Sequence, residues 1–380
     1  MDARCHKTGA RQLRIIFCTP IGADGDSGKE RATRQKSEAI LRQYPGSKIL
    51  TGDRVCKRPK ILRAFLIELW AIITIIANSK NFDIYHLRNG HPIFSIFIAK
   101  AVGLRVYREI HADGLEEVKF LEKSVLEKIG IILNYRVSLL WDRLAEKRIF
   151  NNPRLQDAFR KRGIEGSEDI VVYNGGDEGS ASKLDRKTAR ERWGLEEKKR
   201  YLVFAGSASI WHGIPLMVEL QREFSNNEDN IQIIVAGGQV GRCIDVDRVL
   251  VNFPFINARD CAQLIRAADV CLLPVADIRV SPGSPLKLYD YMVNDRAVIA
   301  QANCPGYSDE VQRFGAGICV DFNCPCIARQ DIVNFLNDAR AVDQAISSLI
   351  RYRPQYLWDM RVTEWFDTGL GVRRDEYELY

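Results

Sequence analysis

The sequence has no C-x-x-C pair, and its ten cysteines are scattered. Cys324-Pro-Cys326 has Cys304 and Cys319 upstream, but the spacing matches no common zinc pattern and no histidine lies nearby. Cys18, Cys271 and Cys319 fall inside apolar runs, where thiols are usually buried. Unpaired thiols point to a reducing cytosol. There is no internal repeat and no low-complexity segment, which excludes solenoids and disordered tracts. The opening stretch "MDARCHKTGARQLR" has no apolar core before the first strand, so it reads without a signal peptide. No apolar run is long enough to span a bilayer. The longest, Ala64 to Ala77, is about 14 residues and contains Glu68.

A chain of 380 residues, 46% hydrophobic and 27% charged, fits a soluble protein of two domains. The net charge of +6 is unevenly spread. Residues 1–60 hold 14 Lys/Arg against 6 Asp/Glu, or +8, which leaves −2 for the rest. A basic first third attracts nucleic acid, anionic lipid or a phosphorylated substrate, or simply solvates one face.

The pattern along the chain alternates strands and helices. Strands are expected at 13–18, 47–52, 82–88, 105–111, "RIFNN" and 169–176. Helices fall at 29–43, 60–79 and 92–102, with a long amphipathic region at 114–148. In the helix at 60–79, Leu62, Phe65, Leu66, Leu69, Ile72, Ile73 and Ile76 follow helical spacing and are expected to face the core. Shallow membrane contact is the lesser alternative. After a polar stretch at 177–200 the alternation restarts. Strands are expected at 201–206, 231–238, 253–256, 269–275, 297–301 and 317–322, with helices at 213–225, 260–268, 284–294 and 328–352. This is an α/β protein of two doubly wound halves in tandem, whose ligands would lie at the carboxyl ends of the strands, in a cleft between the halves. The expected domains are 1–177, 178–355 and a tail, 356–380, that packs back on the body through Tyr356, Trp358 and Trp365, with "VRRDEYELY" loose.

Three stretches carry candidate chemistry. "GADGDSGKER" follows the first strand like a P-loop. However, Gly22 and Gly28 are separated by five residues rather than four, and Glu30 stands where a magnesium-binding hydroxyl is required, so a phosphotransferase reading fails twice. "VFAGSASIWHGI" places Gly206 after a strand and Gly213 before a helix, a geometry that lets backbone N–H groups approach an anion; His212 can donate to it. In "SPGSPLKLYDYMVN", Lys287 and Asp290 share a helical face. A cation in a first turn opposes the helix dipole unless it meets an anion, which makes Lys287 a candidate phosphate ligand. Asp290 can take two ribose hydroxyls. The bland alternatives are a strand–helix turn and a surface Lys–Asp pair.

"GSASIWHGI", "IIVAGG", "LIRAADVCLLPV" and "SPLKLYDYMVNDRAVIA", in this order, resemble the nucleotide-binding half of family 4 (group 1) glycosyltransferases with the GT-B fold. "FDIYHLRNGH", "YREIHADGLEE" and "VVYNGGDEG" resemble the first half and the link, so the resemblance spans roughly 13–352. It implies two Rossmann-like domains facing across a cleft: an acceptor-side domain and a nucleotide-sugar-binding one. It also implies a retaining hexosyl-type transferase that builds a surface polysaccharide or glycolipid. The donor is a nucleotide-sugar and the acceptor a glycan or lipid-phosphate-linked molecule. No cofactor and no nucleotide-coordinated metal are implied, so Asp245-Val246-Asp247 is not a metal triplet; nor is nucleic acid a partner. The implied place is the cytoplasm, with peripheral contact on the inner face of an anionic cell membrane.

Carried over, Gly206, Ser207, His212, Gly213 and Lys287 line the donor diphosphate, and Asp290 holds the ribose. His111 faces the reaction centre, and Gly28 and Arg31 meet diphosphate or acceptor from the other side. Glu109 either orients His111, from the same side of the strand, or is a structural acid. This sequence departs from the family at four places. The subgroup with Trp-His-Gly keeps Ser207 and His212 where many members have Arg and Lys. Pro282 replaces a glutamate that holds the donor sugar, and Asp295 replaces a glycine. A catalytically weak or inactive GT-B protein that binds nucleotide-sugar or a partner enzyme is therefore the alternative.

Overall fold

The computed structural model describes residues 12–25, 27–55, 60–88, 94–121, 123–206, 210–237, 249–253, 256–276 and 282–366. Twelve strands form two six-stranded parallel sheets. In the first, β1 (Ile15–Cys18), β2 (Lys48–Leu50), β3 (Ile84–Arg88), β4 (Arg105–Ile110), β5 (Lys147–Phe150) and β6 (Ile170–Val171) run in the order β2-β1-β3-β4-β5-β6. In the second, β7 (Arg200–Ala205), β8 (Ile231–Ala236), β9 (Val251–Phe253), β10 (Val270–Leu273), β11 (Ala297–Gln301) and β12 (Gly317–Val320) run β12-β11-β10-β7-β8-β9. The described helices are α1 (Gly28–Gln43), α2 (Lys60–Asn78), α3 (Ser95–Ala101), α4 (Gly114–Glu117), α5 (Val125–Leu144), α6 (Pro153–Arg160), α7 (Arg186–Arg192), α8 (Ile214–Asn226), α9 (Ala258–Ala267), α10 (Leu286–Val293), α11 (Ser308–Arg313), α12 (Pro325–Asn337), α13 (Ala339–Tyr356) and α14 (Trp358–Phe366).

The chain divides into two compact units. One comprises Met1–Ile110, Arg136–Ile149 and Ile164–Asp169, and the other His111–Tyr135, Phe150–Gly163 and Ile170–Tyr380. Strands covered on both faces read as continuous apolar runs, and β1, "IIFC", is buried at all four positions. In the second unit the alternation of side chains divides the core between the two faces of the sheet. Val203, Ile234 and Leu273 meet Leu288 and Met292 of α10, while Leu202, Phe204 and Ile233 meet Met217 and Leu220 of α8 and Ile332 of α12.

Two long helical expectations resolve differently. The region 114–148 breaks into α4, a 3₁₀ turn at Val118–Phe120 and α5, and gives way to strand at Lys147. The region 328–352 becomes α12 and α13, divided at Asp338, whose carboxylate accepts the N–H groups of Arg340 and Ala341. Helix α2 is turned opposite to expectation. Ile67, Ala71, Thr74 and Ile75 are buried, whereas Leu62, Phe65, Leu69, Ile73 and Ile76 are exposed. The helix carries two apolar stripes, so periodicity alone cannot choose between them. The stripe with Ala71 at its centre brings the backbone closest to the sheet.

The end of the described chain is anchored in the second unit. Trp358 and Trp365 of α14 are buried and pack edge to face. Between them Arg361, 1% exposed, pairs with Glu310, which is fully buried and also accepts the Tyr289 hydroxyl at 2.8 Å. Arg361 Nε donates to Asn174 O at 3.1 Å, and Asn174 in turn bonds Ser284 through its backbone N–H, at 3.0 Å to Oγ, and through Nδ2 to the carbonyl. Gly175 and Gly176 let this join close: a Cβ at Gly175 would lie 2.9 Å from Trp358 N. Val372 to Tyr380, expected to be loose, fall outside the described residues. Removing one partner of a buried ion pair strands the other, at about 3–5 kcal/mol. Arg361→Met leaves Glu310 with the exposed Arg313 at 3.5 Å and is expected to lower the unfolding free energy of the second unit by up to that amount, read from the shift in urea midpoint; a midpoint unchanged from wild type would refute the role given to this pair.

Candidate functional site

Counted from its own first strand, the second sheet has the order 3-2-1-4-5-6 found in dinucleotide-binding sheets. Its switch point lies between β7 and β10, and ligands bind beyond the carboxyl ends of the strands there. Gly206 follows β7, donates its N–H to Ala236 O at 2.8 Å and has φ +144°. A Cβ at this position would stand 2.9 Å from Lys287 Cε and 3.0 Å from Nζ. Lys287, in the first turn of α10, thus lies against the bare face of Gly206. Its Nζ is 4.1 Å from the centroid of the Phe204 ring, is buried, and has no hydrogen-bond partner among the described residues. Burial pulls its pKa down to about 7, against the opposing pull of the Asp290 carboxylate one turn on.

Trp211-His212-Gly213 returns to the same place. Gly213 is the N-cap of α8 at φ 65°, ψ 31°, a left-handed conformation that only glycine adopts freely. Its missing Cβ leaves room for Pro274, 3.1 Å away. Gly213 itself supplies no side-chain cap, and Pro215 in the first turn has no N–H, which leaves those of Ile214 and Leu216 as the first-turn donors. The His212 ring lies 5.8 Å from the Phe204 ring, so His212 and Lys287 both touch Phe204. Ser207 lies outside the described residues.

The loop leading into α10 meets His111. A Cβ on Gly283 (φ +80°) would lie 3.7 Å from His111 O and 3.5 Å from Asn151 Nδ2, and Asn151 Nδ2 is 3.3 Å from His111 Nδ1. With the amide donating, Nδ1 accepts and the imidazole proton sits on Nε2. Asn152 holds the loop from the other side, donating to Gly283 O at 3.2 Å and Pro305 O at 2.6 Å. Pro282, half-buried, offers no hydrogen-bonding side chain where the family pattern has an acid. Asp295 has a left-handed backbone, φ 53°, and its carboxylate pairs with Arg266 at 2.8 Å and with Arg353.

The partners of Glu109 lie within the first unit. This strand residue pairs with Lys36 and lies 3.7 Å from both His86 Nε2 and Arg88 Nε; all four side chains are buried. Burial, followed by repulsion from Arg88, lowers the Lys36 pKa to about 7, and burial lowers those of His86 and Arg88. One carboxylate thus balances two desolvated cations, which supports the structural-acid reading of Glu109. His111 lies past the end of β4 and takes Asn151. Asp113 caps α4 and pairs with Arg162.

The glycine-rich opening loop is filled from within. Ser27 and Glu30 form a capping box at the N-terminus of α1, with the Glu30 carboxylate accepting Ser27 N–H at 3.3 Å and Ser27 Oγ–H at 2.6 Å. Asp53 accepts the N–H groups of Ala23 and Asp24 at 2.6 and 3.1 Å and the Thr51 hydroxyl at 2.8 Å. Two of the protein's own carboxylates therefore occupy N–H groups that a phosphate cradle would offer. Gly28 is the exposed first residue of α1 and Arg31 is half-buried. Phe204, Asn151 and Asn152 escaped sequence reasoning. Phe204 looks like any strand residue, and the asparagines stand in a stretch read only as strand, "RIFNN". Asp245 and Asp247 fall outside the described residues; among those described, no three His, Cys, Asp or Glu side chains are grouped to hold a metal.

No family model and no curated protein matches the sequence significantly. Solved structures match across nearly the whole chain. Sucrose-phosphate synthase from Thermosynechococcus elongatus is 14% identical (TM-score 0.63), covering 93% of this chain and 97% of that one. WaaG, a glycosyltransferase of lipopolysaccharide biosynthesis, is 16% identical (TM-score 0.63), covering 94% and 100%. Anabaena HepE in complex with UDP-glucose is 15% identical (TM-score 0.62), covering 93% and 98%. At such identities the likeness establishes the fold: two Rossmann-like α/β domains of the GT-B kind. The left-handed backbone of Gly213 gives a direct test. Gly213→Ala is expected to cost about 1–2 kcal/mol in chemical denaturation from backbone strain alone, and no loss of stability would refute the conformation assigned.

Proposed function

We propose that the chain is a retaining glycosyltransferase that takes a nucleotide-sugar and passes the sugar to a glycan or lipid-linked acceptor in surface polysaccharide or glycolipid synthesis. The observation that carries this reading is the buried ammonium of Lys287, which has no hydrogen-bond partner among the described residues and sits beside Gly206 at the switch point of the second sheet. Holding a desolvated cation there is costly, and a diphosphate would offset that cost. The solved neighbour holding UDP-glucose supports the donor class, and the neighbour named for lipopolysaccharide biosynthesis supports the acceptor class.

Charge determines the chemistry. As the bond from sugar to diphosphate breaks, negative charge grows on the leaving phosphate and positive charge on the sugar carbon. Lys287, the first-turn N–H groups of α8 and His212 would stabilise the leaving group, already in place before the bond lengthens. Asp290 would accept the ribose hydroxyls. His111, with its proton on Nε2, would face the sugar. A leaving phosphate that takes the acceptor proton on the same face would make a separate strong base unnecessary, which is the retaining course.

A free-state pKa near 7 for Lys287 fixes the sign of a pH effect. Diphosphate raises that pKa, so binding takes up a proton, and affinity falls as pH rises above about 7. Calorimetry with UDP is expected to show this decline in the wild type, a flat profile in Lys287→Arg and a roughly ten- to hundredfold weaker affinity in Lys287→Ala. Wild-type affinity in Lys287→Ala would refute the site. Pro282 favours one second reading, a binding protein without turnover: donor binding with neither transfer nor hydrolysis across UDP-, GDP-, ADP- and CMP-sugars would select it.

A further inference from the structure

Among the described residues the large exposed hydrophobics are concentrated on one helical layer. Helices α2, α3 and the C-terminal half of α5 cover one face of the first sheet, where Ile67, Ala71 and Ile75 of α2, Ile96 and Ala99 of α3, and Ala145 just after α5 share one core with β1 and β3. Phe97 of α3 meets Trp141 of α5 edge to face, 5.1 Å between ring centroids. The outward side of this layer is apolar too. Phe65 and Ile76 of α2 are 63% and 62% exposed, Phe94 at the start of α3 is 61% exposed, and Phe97, Val137 and Leu140 are each about half exposed. Isolated exposed apolar residues are ordinary, but a contiguous layer of them marks an interaction surface.

Charge identifies the partner. Glu68, the one acid in α2, is turned to the neighbouring helix, where its carboxylate accepts the N–H groups of Phe94 and Ser95 at 2.8 and 2.7 Å and the Ser95 hydroxyl at 2.9 Å. The stretch 54–63, which leads into α2, contains Arg54, Lys57, Arg58, Lys60 and Arg63 and no acid. Lys80, just past the other end of α2, is exposed, as are Arg136 and Arg143, which lie on one face of α5 beside Val137 and Leu140. An apolar layer fringed by cations fits an interface of acyl chains and anionic headgroups. No described helix is long and apolar enough to cross a membrane, so the contact would be lateral.

We infer that the outward face of α2, α3 and the C-terminal half of α5 docks on an anionic lipid bilayer. Phe65, Ile73 and Ile76 enter the headgroup–acyl boundary, and Lys80, Arg136 and Arg143 meet the lipid phosphates. The occupant is a membrane surface rather than a second copy of the chain, because like-charged fringes would face each other across a symmetric interface.

Flotation of the full-length protein with vesicles of phosphatidylcholine alone or with phosphatidylglycerol added tests this without donor or acceptor, so its outcome is separate from that of the proposed reaction. Retention by the phosphatidylglycerol vesicles at low salt is expected, with little on phosphatidylcholine alone and release at about 0.5 M salt, where the screening length is a few ångströms. The double variants Ile73→Ser/Ile76→Ser and Arg136→Glu/Arg143→Glu change exposed positions and are expected to keep the wild-type thermal transition while losing at least tenfold in bound fraction. No retention on either vesicle, equal retention on both, or wild-type retention in both double variants overturns the inference. So does a dimer in sedimentation that Ile73→Ser/Ile76→Ser dissolves while vesicles retain nothing, which would assign the face to a second copy.

Discussion

The second unit holds a desolvated cation whose carboxylate neighbour, Asp290, does not offset the cost of burying it. Lys287 Cε lies 2.9 Å from where a Cβ on Gly206 would stand, and its ammonium sits above an aromatic ring, out of water and with no hydrogen-bond partner among the described residues. Such an arrangement persists only if the surroundings leave the side chain no better place. The surroundings here are rigid. Helix α10 is held at its start by Asn152 and Asn174, which fix Gly283 and Ser284, and its Tyr289 reaches Glu310, which is paired with Arg361. Each tie orients the helix that presents Lys287, so a charge network remote from the ammonium fixes where it points.

The fold was legible because a doubly wound sheet announces itself twice in sequence, as apolar runs and as the helices between them. All twelve strands stand where the runs are, shifted by a few residues at their ends. The errors have physical causes. Helix α2 is apolar on two faces, so its periodicity located the helix but not its orientation. The region 114–148 is interrupted between α4 and α5 and ends where strand β5 begins. In the site, Gly206, Gly213 and Lys287 were readable because each breaks a local rule: two positive-φ positions and a cation at the wrong end of a helix. Phe204, Asn151 and Asn152 break none; they acquire a role only through contacts distant in sequence.

The first unit shows how the same local geometry takes the opposite course. A loop after β1, a glycine-rich backbone and a helix start are the ingredients of an anion cradle, yet Asp53 and Glu30 supply the anions from within. The sequence difference is small: one glutamate three residues after a serine turns the helix start into a closed cap. In the second unit the corresponding helix start has a glycine at its cap, which has no side chain to close it. The contrast between the two units thus rests on whether the chain provides its own carboxylate.

The last described helix has a consequence for how the molecule is made. Arg361 is synthesised after Asn174, Tyr289 and Glu310, three of the residues it joins. Until it emerges from the ribosome, Glu310 has the exposed Arg313, 3.5 Å from one oxygen, but lacks the buried guanidinium on the other, and burying it then is costly. The second sheet can therefore assemble its strands as they appear, while the buried join of α14 to Glu310, Tyr289 and Asn174 waits until all twelve strands have been made.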